Sequence, residues 1–401
     1  MIKVGSDFSG VGAFDQALQR LGIAYETIFA CDNDKYARET YVENYGQPTY
    51  FPKDVYEREI PKESLDIYMT SPPCQAFSMA GKRLGKNDKR GILFFNSYEF
   101  IKENKPRFFI FENVKGLLSD DGGRTFQEWL NLLGGKSVNG LPILFPYDDT
   151  LPYHIYYHTL NAKSVANVPQ NRDRVFIIGI RDDVDNSFTF PKGNPLTKRL
   201  SDVLESDVED KYFLSDQALT HLIKADRAIG FTDRESKEYA NCVVASYHKR
   251  PTDGEYIYDI PKMWIADYRN DEGLRIRKDN ISPCMTSRRH SETDPSTMPP
   301  LVGAIRGRNP ENPTSREVGL PTEQRLELNI NGTSNALTTV QKDNVVVSKS
   351  NIRRLTPREC FRLMDFPETF TWKCSDTQAY RQAGNSIVVG VLCEIIKKFK
   401  I

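Results

Sequence analysis

From the N-terminus to about residue 185, short apolar runs alternate with stretches of helical period. The runs at 2–4, 27–30, 65–70, 107–111, 155–160 and 175–180 predict strands, and 14–21, 35–44, 93–104 and 125–133 predict amphipathic helices. Such alternation specifies an α/β fold, a doubly wound, Rossmann-like parallel sheet with helices on both faces. Ligands of these sheets bind beyond the carboxyl ends of the strands, so chemistry is expected in the residues that follow each run.

From 186 to 350 the long helical periods disappear, and Pro, Gly, Asn, Thr and Arg become more frequent. This segment is expected to be a smaller, irregular β-rich domain. Asn241-Cys-Val-Val-Ala245, Pro283-Cys-Met-Thr-Ser287 and Asn335-Ala-Leu-Thr-Thr339 share a polar-small-apolar-small pattern. They are either a coincidence among loops or three hairpins facing a groove. After residue 350 the helical pattern returns. Thr356 at the N-cap, Pro357 at N1 and Glu359 at N3 mark a helix start. Asn385 and Ser386 are expected to cap a closing helix over 387–399. The predicted organisation is a first domain over 1–185, a second over 186–350, and a return over 351–401 that completes the first.

Composition narrows the class. A chain of 401 residues is long enough for two domains, and its 39% hydrophobic and 27% charged residues are normal for a soluble globular enzyme. It has no apolar run of membrane-spanning length and no apolar leader after Met1, so a cytoplasmic monomer with no membrane partner is expected. The seven cysteines are scattered and form no Cys-x-x-Cys pair, which argues against a disulfide framework and a zinc ribbon. His154 and His158 lie in a strand-like stretch, and no metal is expected there. The formal net charge is zero, yet Arg172, Arg174 and Arg181 cluster, as do Arg288 with Arg289, Arg306 with Arg308, and Arg353 with Arg354. Basic clusters of this kind fit nucleic acid, although most are ordinary solvated surface.

Several turns carry reactive groups. Phe8-Ser-Gly-Val-Gly12 follows the first strand and opens a helix, where glycines let a ligand approach the backbone. Asp32, after the second strand, has the position of a ribose-binding acid, and Asp54 could reach an adenine amino group. Together they point to a nucleoside-type cofactor. In Ser71-Pro-Pro-Cys-Gln75, two prolines stiffen the turn and fix the direction of the Cys74 thiol, as a covalent nucleophile requires. The Gly-, Lys- and Arg-rich stretch 81–91 suits a lid. Glu112 leaves an apolar strand, where desolvation should raise its pKa for proton transfer to a ring nitrogen; the bland alternative is a surface acid. Arg172 and Arg174 fall on one face, where one could grip a carbonyl or phosphate or simply pair with Asp173.

Taken in order, Phe8–Gly12, Pro73–Gln75, Glu112–Val114, Gln170–Arg174, Arg353–Glu359 and Gly384–Ser386 resemble the motif series of the cytosine-5 methyltransferase family. The resemblance covers the residues before about 185 and after about 350, and it implies S-adenosylmethionine as methyl donor and double-stranded DNA as partner. It further implies that Cys74 attacks carbon 6 of a flipped-out cytosine. Glu112 would engage ring N3 and the amino group, and Arg174 the base carbonyl, with Arg172 in support. Phe8, Gly10 and Gly12 would line the donor, with Asp32 on its ribose, Asp54 near its adenine, and Pro73, Leu93 and Asn385 completing the wall. Gln75, Ser78 and Arg90 near the thiol, and Arg288, Arg289, Arg306 and Arg308 in the middle segment, are expected to contact DNA. The role would be restriction-modification or phage protection, without a stable endonuclease complex.

The chain departs from the family pattern in places. Ser6-Asp7-Phe8 shifts the acid of the first motif by one position, Ala13 replaces a third glycine, and Asn33 replaces a common aromatic. Residues 162–168 lack the usual Asp-Tyr-Gly turn. Two other functions fit some of the sequence. A tRNA cytosine methyltransferase of the same fold is suggested by residues 241–247, and a non-catalytic DNA-binding module would need none of the reactive groups to work.

Overall fold

A computed structural model describes residues 1–72, 92–184, 187–213, 239–240, 242–245 and 352–401, together with the backbone of seven further strands between 231 and 347. The chain divides into two compact units. The first comprises Met1–Val203, Glu238–Lys249 and Pro357–Ile401, and the second Leu204–Lys237 and Arg250–Thr356.

The first unit is built on a sheet of β1 (Ile2–Asp7), β2 (Tyr25–Cys31), β3 (Ile67–Thr70), β4 (Phe108–Val114), β5 (Ser137–Val138), β6 (Leu141–Pro142), β7 (Tyr153–Asn161) and β8 (Asp173–Arg181). Their spatial order is β2-β1-β3-β4-β8-β7-β5-β6. The first four strands of this order are parallel, as expected. The expectation of an all-parallel sheet fails beyond them, because β8 is antiparallel to both β4 and β7. Between β7 and β8 the chain holds a single helical turn, α5 (Ala162–Val165), too short for a helical crossover. β8 therefore turns straight back and fills the space beside β4. This reversal puts the start of β8 at the same edge as the end of β4.

Helices cover both faces. On one side, α3 (Ile92–Asn104) and α4 (Arg124–Leu133) enclose Phe94, Phe100, Phe109, Phe111 and Trp129 in one apolar cluster, with the Phe94 and Trp129 rings stacked 4.1 Å apart. The spacing of Phe126, Trp129, Leu130 and Leu133 makes a single apolar stripe, and that stripe is what α4 buries. Strand alternation sends Phe108 to the opposite face, where it stacks on Phe399 at 4.6 Å. There α1 (Ala13–Arg20) packs against the last helix, α8 (Val389–Ile396). Two further helices precede it, α6 (Pro357–Leu363) and α7 (Asp376–Asn385). Helix α2 (Lys35–Tyr45) is capped by Asp34, whose side chain accepts from the backbone N–H groups of Tyr36 and Ala37.

Three expectations need correction. Asn385 and Ser386 do not cap the closing helix; Asn385 ends α7 and Ser386 is its C-cap, with its N–H bonded to Gln382 O. The first unit extends past 185, because Phe188 packs on Phe399 and the carbonyl of Val203 accepts from Arg362. Residues 242–245 also belong to it, for reasons that lie in the site itself. Lastly, Asp54, expected near the end of the third predicted strand, ends no strand. It lies on an exposed stretch between α2 and β3, bonded to the N–H of Tyr56.

In the second unit the described residues form short strands: β9 (Phe231–Asp233), β10 (Tyr256–Tyr258), β11 (Ile265–Arg269), β12 (Gly273–Arg277), β13 (Leu301–Arg308), β14 (Glu323–Leu328), β15 (Val345–Val347) and β16 (Ile352–Arg354). They make sheets β16-β10-β9, β11-β12 and β14-β13-β15. Arg306 and Arg308 lie on β13, in register with Arg325 and Glu323. Among the described residues, no helix is long and apolar enough to cross a membrane.

Candidate active site

At the carboxyl edge of the parallel strands the first unit holds a cavity of about 460 Å³. This is within the size range of small-ligand sites. Its wall takes residues from the ends of β1, β2, β3 and β4, the start of β8, and the end of α7.

One side is the glycine turn. Phe8, Gly10 and Gly12 all have positive φ, at 56, 55 and 85°. For Phe8, with its side chain, that conformation is strained. The turn is closed by Ser9 N–H to Cys31 O at 2.9 Å and by Gly12 N–H to Ser9 O at 3.0 Å. Asp32 braces it, accepting from Gly10 N–H and Asp34 N–H at 2.8 Å each. Burial pushes the Asp32 carboxyl up, and those two backbone donors act against it. Phe8, Ser9, Gly10 and Asp32 line the cavity. Among the described residues, Ser9 Oγ is buried there with no hydrogen-bond partner, and nothing lies within 4 Å of where a Cβ on Gly10 would sit.

The shifted acid of the first motif has a clear destination. Ser6 and Asp7 are consecutive on β1, so their side chains take opposite faces. Asp7 accepts from Tyr68 Oη at 2.6 Å and from Arg58 Nε at 2.9 Å, and Arg58 lies over the Phe100 ring at 4.5 Å. Both Asp7 oxygens are thereby engaged beneath the turn. The sequence gives no hint of Arg58, which sits in a charged stretch without periodicity.

The other side of the cavity carries the acid. Glu112, 6% exposed, lies two residues before the end of β4 with both oxygens held. Arg174 Nε lies 3.0 Å from Oε1, and Ser71 Oγ donates to Oε2 at 3.0 Å. The next residue, Asn113, donates to Pro72 O at 3.3 Å. Arg174 also donates to the carbonyl of Asp173, so the expected Asp173 ion pair is a backbone contact.

Arg172 plays a different part from Arg174. It is 3% exposed, and its guanidinium donates to Val243 O at 2.9 Å, Gly384 O at 2.9 Å and Ser386 O at 2.8 Å, with Cys242 Sγ at 3.2 Å. Burial, then the neighbouring Arg174 charge, push its pKa down to about 10, so it stays cationic at neutral pH. Gln170, two residues earlier, donates to Leu363 O and accepts from Val243 N–H. These two side chains tie residues 242–243 and the C-terminal return to β8. The fit is tight, since a Cβ on Gly384 would meet Ala245 N at 2.3 Å.

The cavity thus brings together Phe8, Gly10, Asp32, Glu112, Arg172, Arg174 and Asn385. It does not include three of the expected residues. Gly12 is the left-handed N-cap of α1, where a Cβ would strike the Tyr45 ring at 2.2 Å. Leu93 packs on the aromatic core, and Asp54 is exposed elsewhere. Pro73, Cys74, Gln75, Ser78, Arg90, Arg288 and Arg289 lie outside the described residues, as do the second and third copies of the weak repeat. Ser71 was not singled out, although the register could have found it. Thr70 pairs with Phe111 across parallel strands, so residue 71 must stand beside 112.

An acid held by a cation at a strand edge thus shares one cavity with a glycine turn, at the ligand-binding edge of an α/β sheet. A family model described as C-5 cytosine-specific DNA methylase matches residues 2–400, and the chain belongs to that family of DNA (cytosine-5-)-methyltransferases. Its relatives include the orphan methyltransferase M.SPRI of Bacillus phage SPR, 30% identical over 99% of this chain and 97% of that protein. The type II methyltransferase M.SsoII of Shigella sonnei is 31% identical over 98% of this chain and 78% of that protein. Among solved structures, a Spodoptera frugiperda DNMT2 variant has a TM-score of 0.64 at 18% identity, covering 99% of both chains. The Entamoeba histolytica methyltransferase EhMeth has a TM-score of 0.63 at 17% identity over 99% of this chain and 97% of that one. At these identities the likeness is one of fold.

Proposed function

We propose that the enzyme methylates carbon 5 of a cytosine flipped out of a short duplex DNA sequence, through a covalent adduct with Cys74 and with S-adenosylmethionine as donor. The observation that carries this reading is the Glu112 carboxyl, held between Arg174 and Ser71 in the same cavity as the glycine turn. A base between stacked neighbours cannot reach such a pocket, so the cytosine must leave the duplex.

The lining fits the donor. Asp32 offers carboxylate oxygens to a pair of ribose hydroxyls, Ser9 Oγ is a buried hydroxyl with no partner among the described residues, and Gly10 leaves backbone open to a ligand. When bound, the donor supplies an electrophilic methyl group on a sulfonium.

The residues of the chain divide the remaining work. The Cys74 thiolate forms a bond to carbon 6, and Glu112 delivers a proton to N3 as the ring loses its aromaticity. Arg174 neutralises the carboxylate so formed and reaches toward the base carbonyl. Carbon 5, now enamine-like, takes the methyl. Its proton then departs to a base, expulsion of the Cys74 thiolate restores the double bond, and the N3 proton returns to the Glu112 carboxylate. Splitting the reaction through a covalent adduct replaces one high barrier by lower ones. Arg172 acts through the walls it holds together.

The kinship with phage and type II methyltransferases supports a role in marking phage or host DNA in the cytoplasm, with or without a cognate endonuclease. A duplex carrying 5-fluorocytosine, which blocks the final proton loss, should trap the wild-type protein covalently but not Cys74→Ala, while Cys74→Ala retains donor binding. Trapping by Cys74→Ala, or methylation of tRNA in preference to duplex DNA, refutes the reading. Bisulfite sequencing of DNA from expressing cells then gives the target sequence.

A further inference from the structure

We infer that Ser71 is a positioning residue for Glu112, and that its hydroxyl stabilises the carboxylate that forms as Glu112 gives its proton to the base. The inference rests on the proposed role of Glu112 and adds a residue to it.

The hydroxyl is placed by the fold. The parallel register of β3 with β4 sets residue 71 beside residue 112, and Ser71 Oγ lies 3.0 Å from Glu112 Oε2. Ser71 precedes Pro72, which confines its backbone to extended conformations and so narrows the directions its side chain can take. The Pro72 carbonyl is held in turn by Asn113 Nδ2. Two consecutive residues of the turn are therefore fastened to two consecutive residues at the end of β4.

The chemistry gives this contact its consequence. Arg174 meets Oε1 and Ser71 meets Oε2, so neither oxygen can swing away from the cavity. While Glu112 holds its proton, a hydroxyl bond to the neutral carboxyl is weak. Once the proton has passed to N3 and the Cys74 sulfur has bonded carbon 6, the acceptor is an anion, and the same bond is about twice as strong. An interaction that strengthens during the step lowers its barrier without tightening substrate binding. Among the described residues, the charged groups facing Glu112 are Arg174 and Arg172, both from the start of β8, and both persist when Ser71 is altered.

The test compares Ser71→Ala, Ser71→Thr and Glu112→Gln with wild type. The readouts are kcat, KM for DNA, the pH profile of kcat/KM, and donor-free exchange of the cytosine carbon 5 hydrogen, which reports addition alone. Ser71→Ala should lose about tenfold or more in kcat and in exchange, with KM little changed. Its alkaline limb should move to higher pH, because a donor to the ionised form has gone. Ser71→Thr keeps the hydroxyl and should restore both rate and limb. The proposal fails if Ser71→Ala matches wild type. It also fails if the rate falls while the limb stays and Ser71→Thr gives no rescue, since Ser71 is then only structural. If instead Glu112→Gln exchanges and methylates like wild type, the role of Glu112 falls and that of Ser71 with it.

Discussion

The Glu112–Arg174 contact depends on the shape of a guanidinium. Arg174 reaches Glu112 through Nε while an Nη donates to the Asp173 carbonyl. A lysine ammonium cannot hold both from one stem in the same plane. Arg174→Lys should therefore lower kcat/KM about a hundredfold, with donor affinity unchanged by calorimetry. Asp15 makes a stability prediction at the same scale. It is 2% exposed in the first turn of α1, and burial pushes its carboxyl up to about 6. Because the folded value lies above that of an unfolded aspartate, its contribution is fully present below about pH 4 and is lost as pH rises through 6. The loss is about 3 kcal/mol by pH 8. Asp15→Asn should thus raise Tm relative to wild type at pH 8, and the gain should vanish near pH 4; a difference independent of pH overturns the assignment. Glu112 and Asp32 were legible in the sequence because strand ends in such a sheet share an edge, whereas Arg174 stands at the start of its strand and reaches that edge only through the reversal of β8. Ser71, Arg58 and the backbone contacts of Arg172 were not, since each depends on pairing between distant segments and leaves no local signal.

At the level of elements, β8 is the consequential piece. Its reversal brings Gln170, Arg172 and Arg174 to the edge where β4 delivers Glu112. The apolar run of β8 was easy to read, but its direction was not, because periodicity carries no sign and only the short link through α5 decides it. The C-terminal helices show the same limit. Asn385 and Ser386 looked like caps by composition, yet they end α7, a polar helix whose placement comes from contacts rather than an apolar stripe. That placement leaves no room at Gly384, where a methyl group would run into the backbone of 244 and 245. Gly384→Ala should therefore cost about 2 kcal/mol or more by chemical denaturation, together with activity. An unchanged midpoint means that residues 242–245 do not pack there.

Over the whole molecule, the two-unit organisation was visible as a change of composition, but its borders were misplaced. Residues 186–203 and 242–245 carry no helical period, yet the first unit claims them through Phe188, Val203 and Arg172. The net charge of zero conceals local basic strands such as β13, which bears Arg306 and Arg308. If these meet phosphates, the double alanine variant should weaken duplex binding and reduce the salt slope by about 2. An unaltered slope in fluorescence anisotropy rejects them.

The acceptors around Arg172 also have a bearing on biosynthesis. They come from residues 243, 384 and 386 of a 401-residue chain. A nascent polypeptide cannot seat this side chain until residue 386 has left the ribosome. A product terminated before residue 384 would leave the Arg172 cation without two of the carbonyls that receive it.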